Sequence, residues 1–242
     1  MEAVVGFLAK ASVPLQEISI GTLLQSNFPE YPIIETSHRV AHHFSLLGQD
    51  MPKASVQDLG WGGIRCLTND KLQVAFFEQE GCRLSRLKPY QDWDQIVAAA
   101  MKVWQFYTET AKPTEVQRLS LRYINVIAVP QPDMPAGWCI EDVLLNPPQP
   151  PKDLPIALIS FLDQDTFLVP NYPYSVRVTK TIQPLQGPGQ QQASVIIDLD
   201  VSTLQPVEPD ADILINHLNA MRWLKNKAFF GSITQKMVEK FK

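Results

Sequence analysis

Arg118, Ser120 and Arg122 are the residues of this chain whose types and spacing best suit chemistry. They alternate along Arg118-Leu119-Ser120-Leu121-Arg122-Tyr123-Ile124-Asn125-Val126-Ile127-Ala128-Val129, which reads as one long strand. Side chains on a strand alternate between faces, so the three share one face, with the two guanidinium groups about 13 Å apart. Two fork-shaped cations with a hydroxyl between them suit a phosphate or another planar oxyanion. The competing role is structural, with each arginine paired to a carboxylate on a neighbouring strand. Asp198 and Asp200 are the natural partners, because both project from one face of Val195-Ile196-Ile197-Asp198-Leu199-Asp200-Val201. The same Asp-x-Asp spacing is an incomplete divalent-metal signal, since such sites want a third ligand. Asp163 and Asp165 are the nearest candidates, but they read as turn residues.

The other chemistry-bearing residues read as structural. His38, His42 and His43 form the only histidine cluster, but no glutamate stands at metal-site spacing and the segment leans towards a strand. His217 falls among apolar residues of a helix, where a hydrogen-bonded, half-buried role is expected. Gly60-Trp61-Gly62-Gly63 precedes a strand, so it cannot aim helix N-terminal amides at a phosphate. Trp61, Phe76 and Phe77 are expected in a core or an interface, and Trp93, Trp104 and Trp223 sit on helices. No nucleophile elbow, P-loop or dinucleotide fingerprint is present. Catalytic residues, a resident metal and a cofactor are therefore not expected.

Composition narrows the classes further. The chain has 242 residues, 45% of them hydrophobic, enough for a sizeable core. Its net charge of −4 provides no basic field for nucleic acid or an anionic membrane. The run Glu2-Ala3-Val4-Val5-Gly6-Phe7-Leu8 lacks a basic flank and a cleavage site, so no signal peptide is expected, and no apolar run is long enough to span a bilayer. A cytoplasmic location follows as the expectation. Cys66, Cys82 and Cys139 are scattered and odd in number, which argues against a disulfide framework or a zinc site.

Periodicity sets the elements that must position these groups. Residues 2–8 read as a strand, with a further strand segment at 17–20 and a short helix over 22–28. Residues 38–47 lean towards a strand, and 48–60, broken by Pro52, read as loop. A hairpin follows, with strands 61–68 and 72–79 around Asn69-Asp70. Residues 82–87 read as an exposed or edge strand. Asp92, with Gln95 three residues on, starts a helix carrying Trp93, Ile96, Val97, Ala100, Trp104 and Tyr107 at helical spacing. Eight prolines between Pro130 and Pro155 mark a stiff seam, with a short helix inside it at 138–145. Beyond it, 154–162 read as a strand, 163–165 as a turn, and 174–182 and 193–201 as strands. A long helix with Pro209 in its first turn follows, then a short one capped by Thr234.

Three segments resemble a family taken together. They are Leu84-Ser85-Arg86-Leu87-Lys88-Pro89-Tyr90-Gln91-Asp92-Trp93, then Leu121-Arg122-Tyr123-Ile124-Asn125, then Phe229-Phe230-Gly231-Ser232-Ile233-Thr234. In this order they resemble a sporadically distributed bacterial family of about this length whose function is unknown. The resemblance implies no activity, cofactor or site residue. It implies an accessory role, by association with the patchily distributed genes of defence, toxin or regulatory neighbourhoods.

The expectation is an α+β protein of two antiparallel sheets, each covered by a long helix, with an outline that looks duplicated. The halves would be 1–130 and 154–242, joined by a connector at 131–153 and packed as one compact unit. The expected function is a non-enzymatic interaction or accessory module whose partner is another protein or a second copy of the chain. Two alternatives stand beside it: a ligand-binding or hydrolytic protein with an anion site at Arg118, Ser120 and Arg122, and a nucleic-acid-binding accessory, which the charge disfavours.

Overall fold

A computed structural model of the chain describes residues 1–45, 53–89, 92–129, 140–149, 151, 158, 160–184 and 193–240. In chain order the elements are β1 (Glu2–Leu8), α1 (Glu17–Asn27), β2 (Ile33–Ser45), β3 (Lys53–Leu67), β4 (Gln73–Glu78), β5 (Gly81–Leu87), α2 (Trp93–Ala111) and β6 (Arg118–Val129). A 3₁₀ turn (Ile140–Asp142), β7 (Leu162–Leu168), β8 (Tyr174–Pro184), β9 (Ala193–Thr203), α3 (Ala211–Phe230) and α4 (Gln235–Glu239) follow.

The described strands form one sheet, in the order β2-β3-β4-β5-β1-β6-β9-β8-β7, which corrects the expectation of two sheets. The physical reason is β1. Its local pattern is that of any half-buried strand, and nothing in it states that it lies between β5 and β6. The pairs β2–β3, β3–β4, β4–β5, β6–β9, β8–β9 and β7–β8 are antiparallel. The chain divides into two compact units, residues 6–117 and residues 1–5 with 118–242.

In the unit of residues 6–117, α2 packs on β5 and α1 on β3. The α2 start is as expected, with Asp92 accepting a hydrogen bond from the Asp94 amide at 2.6 Å. Its apolar residues return every three or four positions, burying Ile96, Ala100, Val103, Trp104 and Tyr107. The helix α1 begins five residues earlier than expected and replaces the predicted strand at 17–20. Ile20 and Leu24, one turn apart, are its buried pair. Phe28 is the hub of the core, with its ring centroid 5.7 Å from Tyr31, 5.7 Å from Phe77 and 5.2 Å from Phe106. Phe7 stacks on Trp104 at 5.0 Å, and the buried Tyr107 hydroxyl donates to the Ala9 carbonyl at 2.7 Å.

Two strand assignments change in this unit. Residues 53–60 belong to β3 rather than to a loop, while 46–52 lie outside the described residues. The register of β2 against β3 shifts at His38, and beyond that point Val40, Val56 and Leu59 are at least half exposed. A ribbon wet on both sides lacks the apolar alternation that marks a strand in sequence. The segment expected at an edge, β5, lies between β4 and β1, and its alternation reflects one covered face, with Cys82 and Leu84 buried.

In the other unit, α3 packs on β9, β6 and β8. It buries Leu214, Leu218 and Met221 against one sheet face, and Asp210 caps it by accepting from the Asp212 and Ile213 amides. That face comprises Leu119, Leu121, Tyr123, Ile127 and Val129 of β6 with Val195, Ile197, Leu199 and Val201 of β9, all buried. Within the seam segment, Ile140–Asp142 forms the 3₁₀ turn where a short helix was expected. Thr234, which caps α4, donates to the Asp142 carbonyl at 2.6 Å. Positions 131–139, 150, 152 and 153 of the expected connector lie outside the described residues, as do 154–157 and 159 of the strand expected at 154–162.

Residues 163–165 are strand rather than turn. β7 starts at Leu162, and 158 and 160–161 are not strand. Asp163 lies opposite Lys180 in register and pairs with its ammonium at 2.8 Å. β7 ends the order of the described strands, so among the described residues only one of its sides is laddered.

Candidate functional site

Register places the sequence-derived candidates on the sheet face opposite α3. Ser120, Ser202 and Ser175 form one row across β6, β9 and β8; Arg122, Asp200 and Arg177 form the next; Ile124, Asp198 and Thr179 form the third. Ser175 and Ser202 share a hydroxyl–hydroxyl hydrogen bond at 3.1 Å. Arg122, Val126 and Arg177 are exposed, whereas Asp198 and Asp200 lie lower, shielded by the longer side chains around them.

The arginines reach diagonally. Arg122 grips Asp198 with two parallel hydrogen bonds, Nε to Oδ1 at 2.8 Å and Nη2 to Oδ2 at 2.5 Å. Arg118 Nη2 donates to Asp200 Oδ2 at 2.7 Å. The Asp198 hydrogen bond raises the Arg122 guanidinium further above its ordinary value, opposed by desolvation. This bidentate geometry is the strong form of the interaction. Arg177 lies beside Asp200 and has no ion-pair partner among the described residues. The face carries the guanidinium groups of Arg118, Arg122 and Arg177 with the carboxylates of Asp198 and Asp200, and Glu2 of the neighbouring β1 adds a further negative charge acting on Arg122.

The metal reading of Asp198 and Asp200 gains no third ligand. Asp163 and Asp165 pair in register with Lys180 and Val178, one residue out of phase with Thr179 and Arg177, so they project from the opposite sheet face. Among the described residues no group of three or more His, Cys, Asp or Glu side chains is placed to hold a metal ion.

His38 Nδ1 lies 3.4 Å from Asp58, and the side chains of His42 and His43 lie outside the described residues. His217 Nδ1 is 2.7 Å from the Tyr174 hydroxyl, and burial lowers its pKa. Cys66 and Cys82 are buried, and desolvation pushes the Cys66 thiol up to about 12 and raises Cys82 as well. Cys139 lies outside the described residues. Phe76 and Phe77 are core residues, with Arg83 seated 4.2 Å over the Phe76 ring. Trp93 and Trp104 are buried, whereas Trp223 is exposed.

Two features escaped the sequence reading. Lys225 on α3 holds its ammonium 3.8 Å over the face of Tyr123, and desolvation brings its pKa down to about 8. The unfolded value is near 10.5, so between about 8 and 10.5 the unfolded chain binds the extra proton and stability rises with pH. Below pH 8 both states are charged and the penalty is complete. A shift of that size is at most about 3 kcal/mol, and the ring contact returns about 1 kcal/mol. Lys225→Met is therefore expected to stabilise the chain by about 1–2 kcal/mol at pH 7. Urea unfolding of both proteins at pH 7 and pH 10 checks this: the gap must narrow at the higher pH.

The second feature is a cleft of about 270 Å³ lined by Gln73, Leu84, Arg86, Pro89, Asp92, Gln95 and Ile96. Its sequence trace is Arg86, a charged residue in phase with the buried Cys82 and Leu84.

Compared with protein-family models, curated proteins and solved structures, this chain matches none. No helix among the described residues is long and apolar enough to cross a membrane.

Proposed function

We propose that this protein is a non-enzymatic interaction module, and that the sheet face bearing Arg118, Ser120, Arg122, Arg177, Asp198 and Asp200 meets another protein. The observation that carries this reading is the bidentate Arg122–Asp198 grip beside the Arg118–Asp200 pair. Cations satisfied in place are poor at capturing a free oxyanion, because a ligand must first displace a carboxylate already in ideal geometry. They suit a polar surface that keeps its shape when a partner covers it. Arg177 adds one unspent guanidinium, and arginine is enriched at protein interfaces. The motif resemblance agrees only through its accessory-gene association.

In-cell photo-crosslinking tests the reading, with a photoreactive residue at exposed Gln183 on this face and a control at Ile18, which is 91% exposed. A discrete protein adduct is expected from position 183 and not from 18, and Arg177→Glu should abolish it. Equal adducts from both positions, or none from 183, would remove the reading. A nucleic-acid adduct at 183, or phosphate binding lost in Arg122→Ala, would favour the anion-site and nucleic-acid alternatives instead.

A further inference from the structure

The cleft beneath the start of α2 lies within the unit of residues 6–117 and is independent of the arginine face. Its floor is the covered side of β4 and β5, where Gln73 and Arg86 are register partners. Gln73 is spent at both ends of its amide. Its Nε2 donates to the Tyr31 hydroxyl, and its Oε1 accepts from Arg86 Nη1 at 3.3 Å. Tyr31 is buried, and desolvation raises its phenol to about 12, so it stays protonated. This relay fixes the guanidinium without neutralising it.

Arg86 makes its second hydrogen bond, Nη2 to the Pro89 carbonyl at 3.2 Å, to another neutral acceptor. No carboxylate lies within 4 Å of it among the described residues; Asp70, in the β3–β4 turn, feels its charge from further away. Among the described residues, two of the five N–H donors of this guanidinium are engaged. Asp92, which also lines the cleft, uses Oδ1 to cap α2, and Oδ2 has no partner among the described residues. One cation and one anion thus line a single cleft and do not pair with each other. Leu84, Ile96 and Pro89 supply apolar lining, and Gln95 adds an amide.

We propose that this cleft binds a small zwitterion of the α-amino-acid class, its carboxylate on Arg86, its ammonium on Asp92 and its side chain against Leu84 and Ile96. A bare anion would meet the Asp92 carboxylate, and a bare cation the Arg86 guanidinium. A molecule carrying both charges satisfies both walls. The volume of about 270 Å³ falls just below the range of drug-sized ligand sites, roughly 300–1,000 Å³.

The test uses the full chain and the twenty L-amino acids at millimolar concentration. Thermal shift ranks them, and calorimetry then follows the best one alongside its desamino acid and its decarboxylated amine. At least one amino acid should bind, each analogue lacking a charge should bind at least about tenfold more weakly, and Arg86→Gln should weaken binding similarly. Asp92→Asn retains a good helix cap and keeps the test decisive if the arginine variant fails to fold. It should also lose at least about tenfold. Absence of binding by all twenty overturns the proposal, as does equal binding of the desamino acid or unchanged affinity in Asp92→Asn.

Discussion

Replacing Gly81 with alanine is expected to destabilise the chain by about 3–5 kcal/mol, a large share of the stability of a typical folded protein. Gly81 opens β5 with φ at +143°, a conformation that L side chains rarely adopt. A Cβ built there lies 2.0 Å from the Phe7 carbonyl oxygen and 3.1 Å from the Ala9 amide nitrogen. Both obstacles are backbone, so no rotamer change relieves them. Relief requires β1 and β5 to separate locally, where Phe7 and the Ala9–Tyr107 hydrogen bond anchor the core. Urea unfolding followed by circular dichroism measures the effect. A midpoint within error of the parent would show that the strands yield more easily than the geometry indicates. Gly60, which has positive φ but nothing within 4 Å of an added Cβ, is the control for strain without a clash.

Phe28→Ala should cost about 3–5 kcal/mol by a different route, the opening of a cavity. Phe28 is 2% exposed and touches three aromatic rings edge to face, and the Lys102 ammonium lies 5.0 Å from its ring centroid. Truncation removes the ring and leaves Tyr31, Phe77 and Phe106 facing a void that a densely packed interior fills only in part. Edge-to-face pairs add about 0.5–1.5 kcal/mol each beyond the area they bury. Phe28→Leu, which refills most of the volume but restores no ring contact, should recover about half of the loss. Equal stability for the alanine and leucine variants would contradict the packing argument.

Local patterns carried much of this fold. The alternation at 118–129, the Asn69-Asp70 turn and the Asp92 start of α2 each rest on rules that act within a few residues, and the structure keeps all three. The sheet order was not legible, because β1 pairs with strands far along the chain and its own residues do not encode which. The strand at 53–60 was hidden because residues 56–60 are wet on both faces, and β7 because its two aspartates imitate a turn. The diagonal pairing of Arg118 and Arg122 with Asp200 and Asp198 was foreseeable from two matched charge spacings on long strands. The cleft at Arg86 was not, since it depends on Tyr31, Gln73 and Asp92 converging from three separate segments. Lys225 gave little warning either, because the ring it lies over, Tyr123, belongs to a strand about a hundred residues earlier.

The terminal position of β7 limits how copies of this chain can join. A strand added alongside it would bring new neighbours against Asp163 and Asp165 on one face and against exposed Leu162 and Leu168 on the other. Leu162 and Leu168 invite such growth, as does Phe167 on the face of the two aspartates, but Asp165 resists it there, because its carboxylate has no ion-pair partner among the described residues while Asp163 has its lysine. The charge on this margin therefore works against continuous ladders from molecule to molecule, the route to fibrils.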